Sequence, residues 1–446
     1  MSATVSAKDL FFTLTEHATS RATAREVLLL EFSGEESDFV RFNRTRVGQA
    51  TAVRQYYLTL TLIEGKRQDA TTLALSGDLA SDRIAIERSL ADMRRDLPTL
   101  PEDPHLLYCE QALQSNSERA GRLPSASEAT DAILAAAAGV DLVGIFACGP
   151  MYRGFANSLG SRCWHAVDSF LFDWSLFHAR DKAVKCSWAG QKWDPIELRR
   201  RIEIAREQLP LLAAPERGLD PGTYRAYLAP AALDELLSLF NWDGVSAKAQ
   251  RTRQSPLQRL VDGAASLSPL FSLSENTAGG LAPSFDKVGF PRPHRVDLIR
   301  AGRHVDALVG PRSAREYGIQ ANGAGDEEAM KSLDLAPGAL EARDIPQALD
   351  TGLFISNLWY LNWSDRSAGR ITGMTRFACF WIERGRIVAP VSVMRFDDSL
   401  YRLLGDALEA LTRDREWRLS PLCWGERSVD TSRIPGALLG ALTLTL

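Results

Sequence analysis

Tyr57-Leu58-Thr59-Leu60-Thr61-Leu62-Ile63 is the stretch on which the fold turns. Leucine and threonine alternate, and a period of two puts them on opposite faces of an extended chain. Glu64-Gly65-Lys66 reads as a turn and 68–75 as the returning strand, giving a β-hairpin with one apolar face. Such a face needs a cover, and the flanking sequence offers helices. One is expected over 7–18. A second spans 79–97, where Leu79, Ile86, Leu90, Met93 and Leu97 fall at spacings of 7, 4, 3 and 4, a single helical stripe. Pro98 and Pro101 stop it, because neither can donate to the helical ladder.

Working outward, 27–32 and 39–42 read as two short strands. Ser125 and Glu128 form a capping box that opens a helix ending at Gly139. Residues 141–147 form a buried strand that Cys148-Gly149-Pro150 should break, with two or three further strands between 151 and 188. Asp194-Pro195 starts a helix carrying Ile196, Leu198, Ile202, Ala205 and Leu209. The segment 210–222 holds three prolines and two glycines and is the expected boundary between an N-terminal α+β domain, 1–215, and a C-terminal β-rich α+β domain, 216–446. Beyond it come a strand at 223–228, a helix at 231–240, a polar helix or loop at 246–266 and a loop at 274–293. A hairpin of 296–299 with 305–309 follows, then strands at 352–358, 370–382 and 387–395. Last is a helix at 399–412, striped with Leu400, Leu403, Leu404, Ala407, Leu408 and Leu411. The class is therefore α+β, two domains, each a largely antiparallel or mixed sheet packed with helices.

A chain of 446 residues exceeds what one core usually supports, and its 45% apolar and 24% charged composition is ordinary for a globular protein. The net charge of −4 offers no electrostatic footprint for nucleic acid. The densest basic run, Arg199-Arg200-Arg201, belongs to the solvated face of a helix. Six cysteines are dispersed without a CxxC pair, the N-terminal residues lack a signal-peptide core, and the apolar run 132–138 is too short for a bilayer. A reducing, cytoplasmic location is expected, with no membrane partner.

Chemistry is sparse. No two of the six histidines are closer than ten residues, so no helical metal-binding pair exists. His294 and His304 flank the expected hairpin, and His165 and His178 fall in strands. There is no GxSxG elbow or phosphate loop. Asp397-Asp398 reads as the N-terminal cap region of the helix at 399–412.

Several segments, taken in order, are nevertheless specific. Phe285-Asp286-Lys287-Val288-Gly289 resembles the FDDEG turn of the TldD/PmbA family (putative modulators of DNA gyrase), and Ser313-Ala314-Arg315-Glu316-Tyr317-Gly318 resembles its SARKxG segment. Asn322-Gly323-Ala324 is similar to the small-residue loop that follows. The segments 354–365 and 374–377 look like a PmbA-like subgroup, and 383–391 resembles the ENGKI-PV hairpin. The resemblance runs from about residue 20 onward and is strongest over 280–396.

The resemblance implies a two-chain metallopeptidase. Its TldD-like chain carries HExxxH on a helix at the start of the C-terminal domain, completed by a later cysteine, with the glutamate as general base for metal-bound water. Here the corresponding helix, 231–240, has no histidine, and Cys423 alone stands near the third-ligand position. The match is to the PmbA/TldE-like member. That implies no cofactor in this chain, zinc in a TldD-like partner subunit, a peptide substrate, and possible homodimerisation when alone. No catalytic residue is expected here. Asn357, Trp359, Tyr360 and Arg376 are the candidates for the substrate cavity or subunit interface, aromatics and arginine being enriched at such contacts. Plain core burial is the competing expectation for Trp359 and Tyr360. Two other functions stay open: a binding or scaffold protein of gyrase-modulator type, and an independent peptidase.

Overall fold

The structure, a computed structural model, describes residues 5–179 and 182–445. Residues 1–4, in the segment read as lacking a signal peptide, and 180–181, within the expected strand region 151–188, lie outside the described residues.

Two sheets packed with helices make an α+β architecture. The first sheet uses β1 (Glu26–Asn43), β2 (Arg46–Glu64), β3 (Arg67–Ala74), β4 (Gln114–Arg119), β5 (Asp141–Asn157), β6 (Arg162–Ala179) and β7 (Lys182–Gly190), in the order β3-β2-β1-β5-β6-β4. β7 pairs with the other half of the β6 edge that β4 occupies. The hairpin is present, with Leu60 facing Thr71. Its preceding strands are longer than they read. The two short strands are one, β1, turning into β2 through Arg44 and Thr45, both at positive φ, the geometry of a two-residue hairpin whose twist suits the strands.

Alternation divides this sheet sharply. One face carries Leu30, Phe32, Leu58, Tyr152, Trp164, Phe172 and Trp174 beneath four helices: α1 (Ala7–Thr19), α2 (Leu79–Asp96), α3 (Ala126–Ala136) and α4 (Pro195–Gln208). The capping box of Ser125 and Glu128 and the Asp194 cap both form. The opposite face carries Leu29, Glu31, Glu35, Ser37, Met151, Arg153, His165, Val167 and Ser169, and the C-terminal half of the chain lies on it.

The second sheet has thirteen strands: β8 (Gly222–Leu228), β9 (Leu273–Glu275), β10 (Val296–Arg300), β11 (Arg303–His304), β12 (Ser332–Leu335), β13 (Gly352–Ile355), β14 (Asn357–Asp365), β15 (Arg370–Arg376), β16 (Phe380–Glu383), β17 (Arg386–Pro390), β18 (Arg395–Ser399), β19 (Leu408–Leu419) and β20 (Thr431–Leu444). β20 is its hub, pairing with β8, β12, β18 and β19. One helix, α5 (Pro230–Ser238), packs Ala232, Leu233, Leu236 and Leu237 into the core shared with β14 and β20.

Several expectations fail here. Cys148-Gly149-Pro150 does not end the strand at 147, because β5 runs through it. Only two cross-strand pairs with β1 are lost, opposite Glu36 and Ser37. The helix expected at 399–412 is a single turn, Leu400–Leu403, followed by β19. Gly405 packs so tightly on the Tyr401 carbonyl that a Cβ there would lie 2.1 Å from it, and the chain leaves the helix at that point. Asp397 and Asp398 accordingly sit on β18, with Asp398 paired to Arg402. The hairpin at 296–309 has a two-residue second arm, β11, and the polar segment 246–266 holds only short helical turns. The expected strands 370–382 and 387–395 are each divided, into β15 with β16 and β17 with β18.

Candidate functional site

Where the resemblance expects a zinc helix, α5 turns Asp234 toward β19. Asp234 Oδ2 accepts from Arg418 Nε at 2.8 Å, and Arg418 Nη1 reaches Glu416 Oε2 at 3.2 Å. Burial pulls the Arg418 guanidinium down, but the two carboxylates outweigh it and hold it above its ordinary value. Asp234 is thus neutralised by a fixed cation, and burial pushes Glu235, the other carboxylate of this helix, up. Cys423 lies in the 420–430 loop against Glu35 and Gln55, its thiol donating toward Pro421 O at 3.6 Å. Burial pushes this thiol up, only partly opposed by Arg427, which disfavours the thiolate a metal requires. Among the described residues no three His, Cys, Asp or Glu side chains converge as a metal site. The residues present do not fit a zinc ion, and no step through one is derived. His294 and His304 do not pair as ligands either; His304 Nε2 is buried without a partner.

The four interface candidates do come together. Asn357 and Arg376 are cross-strand partners on β14 and β15. The Arg376 guanidinium stands 4.8 Å from the Trp359 ring centre and 5.3 Å from that of Phe377, and the Trp359 and Tyr360 rings are 5.4 Å apart. Core burial is not their fate. Trp359 is 46% and Tyr360 73% exposed. A bulge explains how successive residues can both face outward. Tyr360 adopts φ +58°, the register slips between Trp359 and Asn362, and Leu358 and Leu361 still enter the core beside α5. Asn357 Oδ1 is buried without a partner.

Residues 221–445, half of the chain, match the family model described as the PmbA/TldA metallopeptidase C-terminal domain. The chain belongs to the PmbA/TldD family. No curated protein sequence matches it. Its fold is shared along nearly its whole length by solved structures of low sequence identity. A protein described as a candidate modulator of a DNA gyrase from Thermotoga maritima superposes with a TM-score of 0.77 at 16% identity, covering 98% of this chain and 100% of that one. TldE from Thermococcus kodakarensis gives 0.77 at 14%, covering 98% and 99%. A candidate gyrase modulator from Bacteroides thetaiotaomicron gives 0.73 at 16%, covering 98% of each. At such identities the likeness speaks for the fold alone.

The sequence reading missed how this PmbA/TldD-family chain joins its two sheets. Arg427 is 4% exposed and enters the gap in the β1–β5 ladder at Gly149-Pro150. Its Nη1 donates to Gly149 O at 3.1 Å and Ser37 Oγ at 3.2 Å, and its Nη2 to Ser169 Oγ at 2.7 Å and Ser169 O at 3.0 Å. Glu35 accepts from the Arg427 amide at 3.3 Å. His165 Nε2 meets Leu281 O at 2.9 Å, and burial pushes that imidazole down to about 4. The available signal was the polar run Ser33–Asp38 inside an otherwise apolar strand, whose buried members needed partners from elsewhere.

No described helix is long and apolar enough to cross a membrane.

Proposed function

We propose that this chain is the TldE/PmbA-like, zinc-free subunit of a TldD/TldE-type metallopeptidase complex acting in proteolysis or peptide maturation, shaping the substrate cavity without cleaving the bond. The observation that carries this reading is α5. At the helix where the family resemblance expects HExxxH, the chain has no histidine, and Asp234 is bound to Arg418 instead of being available as a base or ligand. The fold likeness to TldE supports the same assignment. The outward-facing Trp359, Tyr360 and Arg376 suit a contact with a TldD-like partner or an extended peptide, since rigid aromatic surface is given up to a partner at low entropic cost.

The test is co-purification with a chain carrying HExxxH, with zinc content and peptide cleavage measured before and after chelation. Zinc and chelator-sensitive cleavage in the pair, and neither in this chain alone, is the expected result. Near-stoichiometric zinc in this chain alone would overturn the proposal.

A further inference from the structure

The two sheets do not meet everywhere. Between them lies a cavity of about 510 Å³, a volume usual for small-ligand sites. Glu31 and Arg153 enter it from the polar face of the first sheet. Asp286 and Lys287 come from the turn at 285–289, Arg292 from just beyond it, and Glu426 from the loop before β20. Most positive charge here is already committed. Arg153 Nη2 binds Glu426 Oε1 at 3.0 Å, and Lys287 binds Asp326 at 2.6 Å.

Four groups are left over. Asp286 is 4% exposed. Its Oδ1 closes its own turn, accepting from the Val288 and Phe290 amides at 3.0 and 2.8 Å, while its Oδ2 has no partner. Glu426 Oε2 and Arg292 Nε are buried and unpartnered as well. The Glu31 carboxylate makes no hydrogen bond or ion pair among the described residues. Burial pushes Glu31 up, and Asp286 up to about 6. An unpaired buried polar atom costs about 1–3 kcal/mol, and three in one cavity beside the unpaired, half-buried Glu31 are a standing demand for a ligand that supplies both donors and acceptors.

The chemistry of that ligand follows from the set. A simple anion would satisfy Arg292 and repel three carboxylates. A bare metal ion lacks converging donors. A simple cation leaves Arg292 unmet. We propose that this cavity binds a small zwitterion, a free amino acid or a short peptide with free termini, its ammonium held by Asp286 and Glu31 and its carboxylate by Arg292. The site lies within one chain, so this proposal stands independently of any metallopeptidase partner.

The experiment is calorimetric titration of the isolated full chain with L-alanine, tri-alanine, N-acetyl-tri-alanine and tri-alanine amide. Binding of alanine or tri-alanine, weakened at least tenfold by acetylation and by amidation, is expected. Alanine binding without tri-alanine identifies a free amino acid as the source, and the reverse a peptide. Asp286→Asn keeps an oxygen for the turn amides and should weaken binding tenfold or more, as should Glu31→Gln, which touches no turn. Arg292→Met should abolish the difference between tri-alanine and its amide while leaving the effect of acetylation. No heat with any probe, or equal binding of the blocked and free peptides, would mean the cavity holds water only and the proposal is wrong.

Discussion

On one side of β6, Trp164 lies among Phe11, Phe12, Phe32 and Tyr152, ring centres 5.7–6.3 Å away. One residue along, on the other side, His165 gives its ring nitrogen to a single carbonyl 116 residues away in the chain. The same strands thus build two unlike faces. The helix-covered face is held by non-directional burial, which many aromatic arrangements satisfy. The face under the second sheet depends on specific partners: Leu281, Arg427 and the ladder gap at Gly149-Pro150. Burial of that kind is tolerant of substitution in kind, whereas a buried polar junction fails when one member is removed.

Mutation can break the comparison from either side. Trp164→Ala removes a ring 2% exposed and should cost about 3–5 kcal/mol in a denaturant titration. A loss under about 1 kcal/mol would mean the aromatic face is not the anchor of the sheet. Arg427→Met should cost about 3 kcal/mol, because Ser37, Ser169 and the Gly149 carbonyl lose their buried donor. It should also raise hydrogen exchange at 420–430 while leaving the helices on the far face protected. Uniform loss of protection across both faces would contradict the division.

Titration sharpens the contrast further, because two buried groups of the junction oppose each other. His165 stays neutral when folded, down to about 4, so its contribution is complete above the unfolded value near 6.5 and declines as pH falls. Between pH 8 and 5 that loss is about 2 kcal/mol. Asp286 behaves in the opposite sense. Raised to about 6, it stabilises the folded state at acid pH, and this is lost as pH rises through 6; over the same range it amounts to about 1.4 kcal/mol. These two contributions therefore largely offset each other between pH 5 and 8. Asp286→Asn should become acid-sensitive, and His165→Gln, which keeps a donor for Leu281, should become more stable on acidification. Parallel pH profiles for the three proteins would refute both assignments.

The smallest effect on stability is expected outside both faces. Tyr360→Ala alters an exposed ring and should change stability by less than about 0.5 kcal/mol. If the proposed partner contact is right, it should weaken association with an HExxxH-bearing chain at least tenfold. Unchanged association would remove Tyr360 from the interface.

The division also explains what could be read in advance. The hairpin of Leu58, Leu60 and Leu62, the helix of Ile86, Leu90 and Met93, and the Ser125 capping box are local, and pattern alone carried them. β1 was read as two pieces because Ser33–Asp38 is polar, and its buried members answer residues nearly 400 positions later. Leu400 to Leu411 fits a helical stripe, but Gly405 ends the turn and the remaining leucines join a strand. The cluster of Asn357, Trp359, Tyr360 and Arg376 was singled out by residue type. The bulge at Tyr360 that exposes it has no local signature, since a tyrosine at positive φ is uncommon. Of the cavity residues, Asp286 and Lys287 stood out only as part of a family-like turn, and the convergence with Glu31, Arg153 and Glu426 was hidden because they lie in four separate segments.

The position of β20 along the chain has a consequence for synthesis. β8, β12, β18 and β19 all precede the strand that joins them. A ribosome moving at roughly 5–20 residues per second takes about 10–40 s to travel from Leu228 to Thr431. During that interval the β8 edge has emerged and its β20 partner does not yet exist. The nascent second sheet is open for aggregation or chaperone capture until the last strand arrives, whereas the first sheet already has all its strands.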